Sequence, residues 1–337
     1  MSQGLVHPAV GLREDLADVI SVVDAKNTPI SSMAKKGADL TNGSVFSWQA
    51  DSYNDPSFDG VLTNADVSTF ADPAANRALL SGRAQKFRRS IKVDDFAQNV
   101  DNVAGVGKKK EMARGVSRSL VEMARDIESA IASDNDSQEQ SGATPFKTRG
   151  LGKWIAAHSG TGDLPVPAAY ATPAASINNT AMSSLTEANV QSMLQSIYTV
   201  TGQINTMVLV CGPELKRKFT EFTRFATGSD SAQELSIRTF TQPTEARKIT
   251  AKVDTFEGDF GTISLLPSLF NAKDQNEATQ LRRGYLLDPN MIELRYGRRP
   301  RFQELEDQGG GPRGLIDAIC ALVCWNPKSL GKFHATS

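Results

Sequence analysis

Between Ala50 and Ala78 the chain reads ADSYNDPSFDGVLTNADVSTFADPAANRA, and this stretch restricts the possible folds more than any other. It mixes turn formers, aspartates and scattered apolar residues with no sustained period of 3.6 or 2. Unstructured connections longer than about 12–15 residues are uncommon inside a compact domain. The flanks are ordered by contrast. Val45 to Ala50 alternates as a strand with Phe46 and Trp48 on one face, and the chain returns through LLSGRAQKFRRSIKV, where Phe87, Arg89, Ile91 and Val93 share a face. Two strands around a long excursion predict a hairpin arm. At about 13 residues per side it reaches some 40 Å, far enough to leave its own core and lie on another surface.

Charge along this arm is segregated. Asp51, Asp55, Asp59, Asp66 and Asp72 load the excursion, whereas the returning strand carries Arg83, Lys86, Arg88, Arg89 and Lys92 with no acid between Ala78 and Val93. Two readings stay open: a solvated arm, or an acidic arm lying over the basic strip of a neighbouring copy, with each exposed pair contributing about 0–1 kcal/mol. Lys108, Lys109, Lys110, Arg114 and Arg118 form a second basic strip, either a solvated helix face or a surface turned toward nucleic acid. The chain as a whole is nearly neutral, with 37 Lys and Arg against 38 Asp and Glu in 337 residues, which argues against gripping nucleic acid over its whole surface.

Other segments outline an α+β chain without regular βαβ alternation. Gly11 to Lys36 reads as a thin arm with a short apolar helical stripe (Leu12, Leu16, Val19, Ile20, Val23), turned to extended backbone at Thr28-Pro29. Gly107 to Ser133 is the strongest helix, with Met112, Val116, Leu120, Met123, Ile127 and Ile131 expected along one buried stripe. Its length would be about 40 Å, and Gly115 within it suggests a close backbone neighbour. Residues 141–183 read as irregular surface chain anchored by Trp154-Ile155. Thr186 is placed to cap a helix carrying Val190, Met193, Leu194 and Ile197; MVLV follows as a buried strand, and Pro213 opens another helix. KVDTFEGDFGTISLLP predicts a hairpin turning at Gly258-Asp259, and GLIDAICALVCW a strand buried on both faces.

Catalytic constellations are poor. His7, His158 and His334 are far apart in sequence, so no triad can be built. Gly258-Asp259-Phe260-Gly261 has the letters of the kinase metal-binding triplet without its partner motifs. At Gly107-Lys108 a phosphate loop fails, because Lys109 replaces the required Ser or Thr and Asn102 the first glycine. Asp134-Asn135-Asp136 lacks the glycine and distal glutamate of a calcium loop and fits a helix end. Cys211, Cys320 and Cys324 suit packing in a reducing compartment. No basic leader precedes an apolar run, and no run of about 18 apolar residues occurs. Neither a cofactor nor a metal is implied.

The order of elements is more specific than any single motif. GLREDLADVI and TPISSM in an arm, a long hairpin excursion, KKEMARGVSRSLVEMARDIESAI, GLGKWI, LTEANV, VCGPELKRK, VDTFEGDFGTISLLP and LLDP together resemble the major capsid (major head) proteins of tailed bacteriophages, over nearly the whole chain. The resemblance implies the Hong Kong 97-like fold: an N-terminal arm (1–44), an extended loop (45–93), a peripheral domain (94–184) with a spine helix at 105–133, an axial domain (185–285) and a return to the peripheral sheet (286–337). It implies pentamers and hexamers forming an icosahedral shell around double-stranded DNA, assembled in the host bacterial cytoplasm and retained in the virion, with a portal and decoration proteins as further partners. Some relatives crosslink their shells through a loop lysine, but no lysine lies between Gly37 and Gln85. Some relatives also carry a long assembly domain before the arm. Little precedes it here, so a separate scaffolding protein is expected. Two other classes remain: a ring- or tube-forming tail component, and an enzyme with a ligand pocket.

Overall fold

The computed structural model describes residues 28–40, 43–96, 111–156, 163–203, 206–222, 224–226, 234–236, 253–269 and 281–334. The stripe expected at residues 12–23, His7, His158 and Lys108–Lys110 lie outside these. Strands in chain order are β1 (Lys35–Lys36), β2 (Val45–Ala50), β3 (Ala78–Arg83), β4 (Gln85–Lys92), β5 (Ile177–Asn178), β6 (Thr206–Cys211), β7 (Arg224–Ala226) and β8 (Glu234–Ser236). They continue with β9 (Thr255–Gly258), β10 (Gly261–Pro267), β11 (Arg283–Leu287), β12 (Ile292–Leu305), β13 (Arg313–Cys324) and β14 (Gly331–His334). These form a four-stranded sheet β1-β12-β13-β4, a six-stranded sheet β5-β14-β11-β6-β10-β9, and two hairpins, β2-β3 and β7-β8.

Contacts divide the described residues into two compact units, one of 88–96, 111–123 and 300–317, the other holding the remainder. In the first, the beginning of the long helix Glu111–Ile131 faces β4. A Cβ on Gly115 would sit 3.1 Å from Ile91 Cγ2, so the glycine admits a neighbouring side chain rather than a backbone. Glu122 answers Arg89 at 3.8 Å and Arg118 at 2.9 Å. The inward face here is made of small residues, with Ser119 buried and Leu120 left 40% exposed. Leu120 therefore departs from the expected stripe, while Met123, Ile127 and Ile131 follow it.

The second unit is built on the six-stranded sheet. β6 and β10 run parallel over six residue pairs, from Thr206↔Thr262 to Cys211↔Pro267. The helix Glu187–Thr201 lays Val190, Met193, Leu194 and Ile197 against Leu209, Ile263, Leu286 and Phe333, and the helix Pro213–Glu221 adds Leu215 and Phe219. Each such side chain, fully buried, contributes about 1.5–3 kcal/mol. The first of these helices starts as its residues predict: the Thr186 N–H and hydroxyl both donate to Asn189 Oδ1, at 2.9 and 2.8 Å, and Gly202 ends it at φ 66°. Pro213 occupies the first turn of the second.

Several local expectations shift. Pro29 opens a short helix, Pro29–Met33, instead of an extended turn, because its missing N–H costs nothing in a first helical turn. The β9-β10 turn is Asp259-Phe260, one residue later than expected, since Gly258 and Gly261 pair across it. The return through 78–93 is not one strand: it breaks at Ala84, β3 pairing with β2 and β4 joining the four-stranded sheet. The last strand, Gly331–His334, pairs with β11 in the six-stranded sheet, while β12 and β13 belong to the four-stranded one. β13 is largely buried, as expected. Asp134 and Asp136 follow the long helix and hold Arg283 at 2.5 Å and Arg149 at 2.8 Å.

Candidate assembly surface

Three tryptophans hold the base of the hairpin arm. Trp48 sits with its ring centroid 5.6 Å from Trp154 and 6.1 Å from Trp325, and Phe46 stacks behind it at 5.7 Å. The β2-β3 ladder runs in register from Val45↔Arg83 to Ala50↔Ala78. Leu80 is fully buried on the same side, and Gly82 lets the Phe46 ring lie flat, since a Cβ there would fall 2.5 Å from its Cζ. Arg83 ends the ladder and is itself buried, hydrogen-bonded to the partly buried Asp163 and 3.2 Å from the exposed Glu139. Its charge is thus neutralised within its own chain.

Beyond the ladder the chain changes character. Every residue from Asp51 to Ala75 is exposed, and among them are Tyr53 (101%), Phe58 (97%), Val61 (82%), Leu62 (81%), Val67 (68%) and Phe70 (85%). Scattered surface apolar residues are ordinary. Six in one projecting segment make a patch of the kind that marks an interaction site. Asp51 pairs with Arg77 at 3.5 Å, and Asp72 Oδ1 accepts the Ala74 N–H at 2.9 Å; Asp55, Asp59 and Asp66 lie exposed along the segment.

The basic candidates divide by face. On β4, Phe87, Arg89 and Ile91 turn inward, and Lys86, Arg88 and Lys92 alternate on the exposed side. The strand belongs to a sheet whose four strands carry eleven Lys or Arg against three acids, Glu293, Glu304 and Asp317. The excursion from Asp51 to Arg77 carries five Asp and one Arg. On the long helix the described members of the second strip, Arg114 and Arg118, pair with Glu111 at 3.4 Å and Glu122 at 2.9 Å. Their charge is shared with neighbouring acids, so this face is less basic than its Lys and Arg alone suggest.

His334 is half-buried on β14 opposite Arg283. The three cysteines are buried, and burial pushes the Cys211 and Cys320 thiols up to about 12. Among the described residues no group of three or more His, Cys, Asp or Glu could hold a metal ion, and no helix is long and apolar enough to cross a membrane.

Sequence reasoning missed two features of the arm. One is the burial of Arg83, which no local pattern announces because its partners lie 56 and 80 residues away. The other is Asn76, whose Nδ2 donates to Asn54 Oδ1 at 2.6 Å and Ser52 O at 3.2 Å, while its own carbonyl accepts the Tyr170 hydroxyl at 2.5 Å.

The same architecture occurs in solved shells. The chain is similar to the capsid protein of Cyanophage P-SCSP1u at 11% identity and TM-score 0.59, covering 97% of this chain and 94% of that one. It is similar to the capsid subunit of Cyanophage Pam1 at 12% identity and TM-score 0.57, over all of both chains, and to a capsid chain of an empty GTA particle at 10% identity and TM-score 0.60, covering 99% and 98%. At these identities the likeness establishes the fold. No curated protein sequence matches the chain. The family model for the SU10 major capsid protein matches residues 3–337, and the chain belongs to that family of shell-forming proteins.

Proposed function

We propose that this protein is the repeating subunit of an icosahedral phage head: it assembles as pentamers and hexamers, closes a shell around double-stranded DNA, and acts structurally, not as an enzyme. The observation that carries this reading is the excursion 51–77, whose exposed aromatic and aliphatic side chains have no cover among the described residues. Burying them on a second copy supplies the missing apolar contact, and head-to-tail repetition of one such contact closes rings. Charge supports the same pairing. The excursion is acidic and the four-stranded sheet basic, so the outward Lys86, Arg88 and Lys92 of one copy suit the aspartates of the next.

In this reading residues 1–44 are an arm, 45–93 the extended loop, 94–184 the peripheral domain with its spine helix, 185–285 the axial domain and 286–337 the return. A separate scaffolding protein guides assembly in the host bacterial cytoplasm, a portal occupies one vertex, and DNA is touched weakly through Lys108–Lys110, Arg114 and Arg118. Negative-stain imaging of the expressed protein tests the reading. Closed polyhedral shells, alone or after adding the scaffolding protein, are expected. Stacked rings or rods would reassign the chain to a tail component, and a monomer saturably stabilised by a small ligand would reassign it to an enzyme.

A further inference from the structure

The excursion does not hang freely from the end of its β-ladder. Past Ala50 and Ala78 the two sides stay tied for several residues more, by the Asp51–Arg77 ion pair and by the Asn76 side chain bridging to Ser52 and Asn54. The Asn76 carbonyl is in turn held by the hydroxyl of Tyr170, a buried residue of a separate short helix, Ala168–Tyr170. One residue thus closes the two sides with its side chain and fixes their direction with its main chain. Asn76 is also the first residue on the returning side that is partly buried.

From 55 to 75 the bonding differs in kind. The hydrogen bonds described there are local: Asp59 N–H to Ser57 Oγ, Ala65 N–H to Leu62 O, Ala74 N–H to Asp72 Oδ1, Ala75 N–H to Asp72 O and, at the junction with the neck, Arg77 N–H to Ala74 O. Each spans three residues or fewer. No apolar side chain of this stretch is buried.

We infer that the arm is articulated at Asn54 and Asn76, not at its strand roots: residues 45–54 and 76–83 form a neck fixed to the body, and 55–75 form a strap that swings to meet a second copy. Asn76 and Tyr170 are positioning residues that set the direction in which the strap leaves. The inference rests on the shell reading only for the identity of what the strap meets. Local segments with few buried contacts open most readily, and a two-sided strap of about ten residues per side reaches roughly 33 Å. Holding the neck while freeing the strap lets one sequence engage neighbours at different angles without unpacking the tryptophans.

Nitroxide labels on the unassembled full-length chain test this. The native cysteines are all buried, so single surface substitutions Ser47→Cys, Ser52→Cys and Ser57→Cys can be labelled selectively. The expected spectra are immobilised at 47 and 52 and fast at 57. Adding Asn76→Ala or Tyr170→Phe should shorten the correlation time at 52 at least threefold, to that at 57, with 47 and the melting temperature unchanged. A label at 52 as mobile as at 57 in the otherwise unmodified chain overturns the inference. So does a label at 52 that stays immobile in both variants. Failure of the unlabelled protein to form shells would instead count against the shell reading, leaving the position of the hinge to these spectra.

Discussion

Glu128 of the long helix accepts the backbone N–H of Ile30 at 2.8 Å and is fully buried, binding the root of the N-terminal arm to a residue 98 positions away. Its second oxygen accepts the Ser31 N–H, also at 2.8 Å. Removing the carboxylate leaves two donors without a partner. Leaving a buried donor unsatisfied costs about 1–3 kcal/mol, so Glu128→Ala should destabilise the chain by about 2 kcal/mol or more, read as a lower urea midpoint at unchanged slope.

The same group gives a pH dependence. Burial raises the Glu128 carboxyl above the usual carboxylate range, against the lowering effect of the Ser31 and Ile30 hydrogen bonds and the Lys36 charge. A raised folded-state value favours the protonated form on folding. The resulting stability is present below the unfolded value and is lost as pH rises through the folded one. Relative to Glu128→Gln, the parent should therefore gain stability as pH falls from 7 toward the ordinary glutamate range. Paired urea titrations at several pH values check the sign.

Two arginines of the same basic run should behave oppositely. Arg83 is buried and hydrogen-bonded to the partly buried Asp163, with the exposed Glu139 carboxylate 3.2 Å away, and a hydrogen bond between charged groups contributes about 1.5–3 kcal/mol. Arg83→Met should therefore lower the unfolding midpoint. Arg88 is exposed on β4, so Arg88→Glu should unfold like the parent yet give fewer shells. Circular dichroism melts with particle counts from sedimentation separate the two effects.

Thiol chemistry provides a fourth check. Desolvation outweighs the Lys216 charge at Cys211 and the Lys36 charge at Cys320, holding both thiols near 12. At pH 8 the folded chain should react with an aromatic disulfide reagent at a small fraction of the rate seen in denaturant, where all three cysteines should titrate.

Much of this was legible in the residues, and the failures share one cause. Phe46 and Trp48 announced their common face by alternation, Thr186 and Pro213 their helix starts by capping chemistry, and Trp154-Ile155 its anchoring role by being apolar in a polar stretch. Such signals are local. The sequence also continues its alternation through 78–93, and nothing local says that pairing changes sheets at Ala84. At Leu120 helical spacing suggested a buried position, yet Gly115 and Ser119 take the inward face because Ile91 approaches there. The arm's neck was invisible for the same reason: Asn76 looks like any loop asparagine until Tyr170 is brought beside it.

Hydroxyl-radical footprinting of purified particles against dissociated subunits tests the central claim most directly. Tyr53, Phe58 and Phe70 are reactive and almost wholly exposed within one chain. The account predicts that all three lose most of their labelling on assembly, while residues of the buried six-stranded sheet do not change. Equal labelling of the three in particles and in free subunits would contradict it.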